Sequence, residues 1–140
     1  MWNRSVLLIL LSSTLLAQKS RVPFVGCNSD GQTGPMKAPK GTDRLVQLDS
    51  SAAKRLTYYE AAVNTGVLAP RGWYCFGTYG SAGEDLTVSP APINRDGTNG
   101  PIVQVDNIDG NTSGRFEVAE VIARVFPGQK AFVQTVIEGY

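Results

Sequence analysis

Carboxylates are the side chains of this sequence that could carry the most chemistry. Six of them, in the second half of the chain, are candidates: Glu84, Asp85, Asp106, Asp109, Glu117 and Glu120. Two carboxyl groups about 5 to 10 Å apart suffice for glycoside hydrolysis. Acids beside glycine in turns, or on the solvent side of a helix, are usually solvated. We therefore assign no catalytic residue.

Histidine is missing from the sequence. Its absence excludes Ser-His-Asp and Cys-His catalytic arrangements, together with the zinc sites that use histidine. Asp106, Asp109 and Asn111 surround Gly110 as in an oxygen-rich calcium loop, but these three residues do not follow the alternating ligand pattern. A β-turn is the preferred interpretation, and we expect neither a metal nor another cofactor.

Two cysteines, Cys27 and Cys75, are the remaining reactive side chains. They are far apart in sequence and form no CxxC motif, which argues against a redox pair or a zinc site. We predict that they form a structural disulfide. It would close a loop of about 48 residues and stabilise the fold by about 4 kcal/mol on the chain-entropy estimate.

The first residues have the pattern of an export signal. Arg4 gives a positive start, residues 6–16 form a largely apolar run, and Ala17 is a small residue at its end. We predict a signal peptide over residues 1–17 and one exported domain over 18–140, located in the periplasm or secreted. The run is too short to cross a bilayer and no later run is long enough, so no transmembrane segment is expected.

A bacterial lipoprotein anchored at Cys27 is the minor alternative. Val25-Gly26-Cys27 is similar to the end of a lipid-attachment site. However, Phe24 is bulky at the position where such sites usually have an aliphatic residue, and residues 18–21 place polar or charged side chains between the apolar run and the cysteine. Lipid attachment would also leave Cys75 unpaired, which is disfavoured outside the cytosol.

Charge and size limit the class of partner. The net charge is +1, and removal of Arg4 with the leader would balance acids and bases. Nucleic-acid binding needs clustered Lys and Arg, so no nucleic-acid partner is expected. About 120 residues form one domain with one core.

The local patterns predict an α+β fold: a single small domain with a mixed sheet, two helices and one disulfide. The expected elements are an ordered loop region 21–41, a strand 44–48, a helix 50–65 stopped by a left-handed Gly66, strands 73–81 and 86–89, and a mobile loop 91–100. A strand 102–108, a helix capped by Thr112 or Ser113 and ended by Pro127, and a strand 131–138 complete the chain. The last three could form a right-handed crossover.

Recognition is expected in the aromatic and glycine-rich segment 71–81. Five of its side chains combine large contact areas with hydrogen bonding, which is typical of binding hot spots: Arg71, Trp73, Tyr74, Phe76 and Tyr79. Alternation places Trp73 and Cys75 on one face of a strand and Tyr74 and Phe76 on the other. The alternative is that most rings fill the core around the disulfide, with Arg71, Tyr74 and Tyr79 the most exposed.

Two motifs carry a resemblance. Gly26-Cys27-Asn28-Ser29-Asp30-Gly31-Gln32-Thr33-Gly34-Pro35 and the segment LAPRGWYCFGTYGS at 68–81 resemble a group of uncharacterised exported bacterial proteins with no assigned activity. The resemblance implies export and pairing of the two segments, and it brings no catalytic residue. It also implies that family members continue beyond Tyr140, so that this chain would truncate the fold.

Together these observations favour an exported, non-catalytic binding or interaction protein of the bacterial envelope. Its partner would be a protein or another envelope component, bound through segment 71–81. One alternative is a carboxylate-dependent hydrolase acting on an envelope glycan. Another is a secreted structural or accessory protein.

Overall fold

The computed structural model describes residues 19–63, 66–93 and 100–139. The predicted signal peptide 1–17 and residues 94–99 of the predicted loop 91–100 lie outside the described residues. Within the described part of the chain, no helix is long and apolar enough to cross a membrane.

Nine strands and three helices make up the described fold. The strands are β1 Lys19–Val22, β2 Phe24–Cys27, β3 Ser29–Gly31, β4 Arg44–Gln47, β5 Leu56–Ala61, β6 Val67–Pro70, β7 Tyr74–Gly80, β8 Gly83–Ser89 and β9 Val103–Ile108. The helices are α1 Ser50–Ala53, α2 Arg115–Val125 and α3 Lys130–Glu138, with a 3-10 turn Pro127–Gln129 before α3. The predicted α+β domain with one disulfide is confirmed, although only one of its two longer helices lies where we expected it.

The strands form three sheets. β1 and β4 form an antiparallel pair, β2-β5-β6 form a three-stranded sheet, and β3-β7-β8-β9 form a four-stranded sheet. The pairs β2–β5 and β3–β7 are parallel, so both larger sheets are mixed. Segment 21–41, predicted as a loop region, therefore contributes β2 and β3 to the two larger sheets. Parallel partners are distant in sequence, and a local pattern does not reveal them.

A compact core lies between the two larger sheets. Its buried members are Cys27, Tyr59, Ala61, Ala69, Leu86 and Val88, with Val67, Trp73, Cys75 and Val103 packed against them. The predicted disulfide is confirmed: Cys27 of β2 is bonded to Cys75 of β7, with 5.5 Å between their Cα atoms. The bond occupies the Cys27 Sγ atom that lipid attachment would require.

The predicted helix 50–65 is wrong over most of its length. Asp49 caps only the four-residue helix α1, through hydrogen bonds from the backbone N–H groups of Ser51 and Ala52. From Leu56 onward, alternate residues are buried, which is the period of a strand. Thr57 and Tyr59 favour extended structure and fill the core, and this packing overrides the helical spacing. Gly66 does not have a positive φ.

The C-terminal prediction is partly wrong. Helix α2 is confirmed and stops before Pro127, but its N-cap is Gly114, with no side-chain cap from Thr112 or Ser113. The predicted strand 131–138 is helix α3, which packs on α2 and buries Val133. Its β-branched composition favoured a strand, but burial against α2 decides the outcome. The expected crossover is therefore absent.

Candidate binding surface

Strand β7 presents two different faces. It lies between β3 and β8 in unbroken register, so its side chains alternate as predicted. Trp73 and Cys75 pack toward the core. Tyr74 on the opposite face has 52% of its surface exposed, and Phe76 beside it is half-buried. Tyr74 is therefore the more accessible of the two rings on this face of β7.

Gly77 explains how β7 fits so closely against the other sheet. A Cβ atom at this position would lie 2.9 Å from the Ala61 Cβ and 3.1 Å from the Ser29 Cβ. Only glycine permits this separation without displacing a neighbour. This close approach lies two residues along β7 from Cys75, which forms the disulfide.

The entry to β7 is held by a buried tyrosine. The Tyr59 hydroxyl donates to the Pro70 carbonyl oxygen at 2.9 Å and accepts from the Trp73 N–H at 3.0 Å. These bonds span the turn at Gly72, whose φ is +82°. A single core hydroxyl therefore fixes both sides of the turn that leads into segment 71–81.

The Tyr59→Phe variant tests this arrangement. Loss of the hydroxyl leaves the Pro70 carbonyl and the Trp73 N–H without their partner, so we expect unfolding to require about 2 kcal/mol less free energy. Urea unfolding followed by tryptophan fluorescence measures the change. Tyr74→Phe removes the same atom at an exposed site and should change stability by less than about 0.5 kcal/mol. Equal effects of the two variants would contradict this role of Tyr59.

Tyr79 and Arg71 lie in surroundings different from that of Tyr74. The Tyr79 hydroxyl donates to the Gly34 carbonyl oxygen and lies 2.9 Å from the Thr33 Oγ1 atom. Tyr79 is thus half-buried rather than among the most exposed side chains, and it anchors the loop after β3. The exposed Arg71 lies near the end of α1 and the start of β5. Its Nη2 atom is 3.4 Å from the carbonyl oxygens of Ala53 and Leu56. The five predicted binding residues therefore do not form one patch.

A polar row crosses the outer face of the four-stranded sheet. Cross-strand register aligns Asp30, Thr78, Asp85 and Asp106 on neighbouring strands, and directly opposed residues share a face. The Asp85 Oδ1 atom accepts hydrogen bonds from the Thr78 N–H at 2.9 Å and from its hydroxyl at 2.8 Å. Gln104 donates to the Asp106 carboxylate at 2.7 Å. The row is therefore ordered by its own hydrogen bonds.

An open cavity of about 630 Å³ lies along this row, near the turn between β7 and β8. Four of the six candidate acids line it: Glu84, Asp85, Asp106 and Glu117. Asn107 donates to the Glu84 carboxylate at 2.7 Å. The volume is within the usual range for small-ligand sites. Sequence reasoning named these acids, but only the strand register shows that Asp85 and Asp106 share one face; Glu84 and Glu117 reach the cavity from the adjacent position on β8 and from α2.

Asp109 lies in a turn, as predicted. Its Oδ1 atom accepts from the Asn111 N–H at 2.9 Å. The spacing of a 12-residue calcium loop fits residues 109–120 when Asp109, rather than Asp106, is taken as the first position. The sixth position of such a loop needs a sharp turn, yet Gly114 has a right-handed helical φ of −62°. No group of three or more His, Cys, Asp or Glu side chains within the described ranges could hold a metal.

Comparison of the chain with models of protein families, with curated proteins and with solved structures finds no match.

Proposed function

We propose that this chain is an exported, non-catalytic binding protein of the bacterial envelope. Its binding surface is the outer face of the four-stranded sheet, which we define by Tyr74, Phe76, Thr78, Asp85, Gln104 and Asp106. The observation that carries the proposal is the exposed Tyr74 on a strand whose opposite, core-facing side is crosslinked to β2 by the disulfide. Export is supported by that disulfide, because such bonds persist in oxidising compartments.

The outer face is suited to binding because its parts are already ordered. Tyr74 offers a large contact area with few rotatable bonds, and aromatic side chains of this kind dominate binding energies. Register and disulfide hold the strand in place, so little conformational freedom is lost when a ligand binds. The outer face thus combines the contact area of Tyr74 at the start of β7 with directional hydrogen bonding at the polar cavity toward the end of the same strand.

The charge of the outer face selects among ligands. Asp30, Asp85 and Asp106 lie on it, and lysine and arginine are absent from the cavity lining within the described residues. An anionic ligand would be repelled. We therefore favour a neutral or cationic envelope component that is rich in hydrogen-bonding groups.

A carboxylate-dependent hydrolase is the second candidate, and the four acids of the cavity favour it. Asp85 and Asp106 oppose each other across β8 and β9, which brings their Cβ atoms to about 5 Å. Side chains on such neighbouring Cβ atoms could bring their carboxyl groups to the separation of about 5 to 5.5 Å that retaining glycosidases use. Against catalysis, Asp106 is exposed, whereas a general acid needs surroundings that keep it protonated. One Asp85 oxygen is already bonded twice to Thr78.

Co-sedimentation with isolated bacterial envelope material tests the binding surface. Tyr74→Ala removes the exposed ring, and we expect it to weaken binding about tenfold or more. Leu45→Ala is the control, because Leu45 on β4 is 63% exposed but lies on the separate two-stranded sheet. If Tyr74→Ala binds as well as Leu45→Ala, the outer face is not the binding surface. If the unmodified protein does not bind at all, a structural role gains support.

A further inference from the structure

Positive charge collects around a small cavity away from the outer face. The cavity has a volume of about 240 Å³ and lies between β1, α1 and the end of β6. Three cationic side chains line it, Arg21, Lys54 and Arg71, together with Ser20, Ser50 and Ala53. The cavity therefore combines three positive charges with two hydroxyl groups.

None of these three cations forms an ion pair with an acid of the described fold. The ion pair found among residues 19–63, 66–93 and 100–139 is Arg44 with Glu60 at 2.8 Å. No carboxylate from those ranges lines the cavity. Asp49 is the adjacent acid in sequence, but its carboxylate accepts from Ser51 and Ala52 at the start of α1. The Ser51 bonds and the nearby Arg55 lower the Asp49 pKa.

Arg71 is positioned before any ligand arrives. Its Nη2 atom approaches the carbonyl oxygens of Ala53 and Leu56 at 3.4 Å, and its backbone N–H donates to the Arg55 carbonyl at 2.8 Å. A guanidinium group carries five N–H donors, so others remain available after these contacts. A held guanidinium group loses less freedom when it binds an anion.

We propose that this cavity, the Arg71 pocket, binds a phosphate group. Three cations exceed what a single carboxylate would balance, whereas a phosphate monoester carries a charge of about −1.5 to −2 near neutral pH. Arginine matches the planar edge formed by two phosphate oxygens, and lysine acts as a point charge. The phosphate could be free or carried as the monoester headgroup of a lipid such as phosphatidic acid, since both present the same oxygens and a similar charge. This site is separate from the outer face, whose acids would repel the same ligand.

Titration of the intact, disulfide-bonded protein with inorganic phosphate tests the pocket. At constant ionic strength, two-dimensional NMR of backbone amides should show saturable shifts at Arg21, Lys54 and Arg71. Lys54→Met removes one charge and should weaken binding about tenfold. Lys37→Met is the matched control, because Lys37 is also exposed but lies outside the pocket; its affinity should be unchanged.

Vesicles distinguish the two sources of phosphate. Binding to phosphatidic acid vesicles, reversed by inorganic phosphate and absent with phosphatidylcholine vesicles, would assign the pocket to a lipid headgroup. Phosphate shifts without vesicle binding would assign it to a free phosphate compound. The proposal is overturned if no saturable shift occurs up to about 10 mM phosphate, or if Lys37→Met and Lys54→Met lose affinity equally.

Discussion

Replacement of both Cys27 and Cys75 by alanine is expected to lower the free energy of unfolding by about 4 kcal/mol. The two residues are separated by 48 positions, and the crosslink limits the unfolded chain over that whole loop. Small domains have total stabilities of about 5 to 15 kcal/mol. The variant should therefore be close to the limit of folding.

The structural effect of losing the disulfide should be largest in strands β2 and β3. Cys27 is the last residue of β2, two residues before β3, and each of these short strands pairs in parallel with a distant partner. Without the crosslink, closing these long-range pairs costs more entropy. We expect hydrogen exchange to lose protection at Gln32, whose N–H donates to the Tyr79 carbonyl oxygen of β7 at 3.3 Å, before protection is lost between β7 and β8.

Urea unfolding of the oxidised protein, the reduced protein and the double-alanine variant measures this contribution. The reduced protein controls for the loss of side-chain atoms and should unfold within about 1 kcal/mol of the variant. Thiol labelling of the native protein should find no free thiol. Two free thiols in that assay, or coincident unfolding curves, would contradict the account.

Gly83→Ala is the second variant with a large expected effect, a loss of about 3 kcal/mol or more. Gly83 begins β8 and has a φ of +137°, which side chains rarely adopt. An added Cβ atom would also lie 2.1 Å from the Asn107 carbonyl oxygen on β9. The clash is with backbone, so relief requires β8 and β9 to separate at the cavity.

Substitutions at two other glycines distinguish the two causes of that loss, the positive φ and the clash with β9. Gly34→Ala also requires a positive φ, here +94°, but meets nothing within 4 Å; it should cost about 1 kcal/mol. Gly80→Ala meets nothing and has no positive φ, and a reduced unfolded-state entropy should leave it neutral or slightly stabilising. Thermal unfolding of the three variants should rank Gly83→Ala as least stable. A Gly83→Ala protein as stable as Gly34→Ala would show that the β9 contact does not constrain this position.

Local patterns predicted the elements whose partners are neighbours in sequence. The alternation of Tyr74 and Cys75 in β7 and the end of α2 before Pro127 follow from short-range rules. The Cys27–Cys75 bond was also predictable, because the chain contains one pair of cysteines that follow a largely apolar run at residues 6–16.

The errors occur where distant contacts decide the structure. Tyr59 has helical spacing from Leu56 and Val63, yet parallel pairing with β2 makes it a strand residue. Val133 lies in a β-branched run, but packing on α2 makes it helical.

The binding surface was only partly predictable for the same reason. Residues 71–79 are close in sequence, but alternation and the turn at Gly72 send Arg71, Tyr74 and Tyr79 to three different surroundings. The contribution of Asp85 and Asp106 to the outer face depends on β8–β9 register. The contribution of Arg21 and Lys54 to the Arg71 pocket depends on the packing of β1 beside α1.

One measurement tests the proposed binding function most directly: binding and product release measured together on a purified envelope glycan. The assay compares the unmodified protein with Tyr74→Ala, Asp85→Asn and Asp106→Asn. We predict saturable binding that Tyr74→Ala weakens about tenfold or more, with no release of soluble sugar by any variant. Release of reducing sugar by the unmodified protein, abolished by Asp85→Asn or Asp106→Asn, would contradict the account and identify a hydrolase.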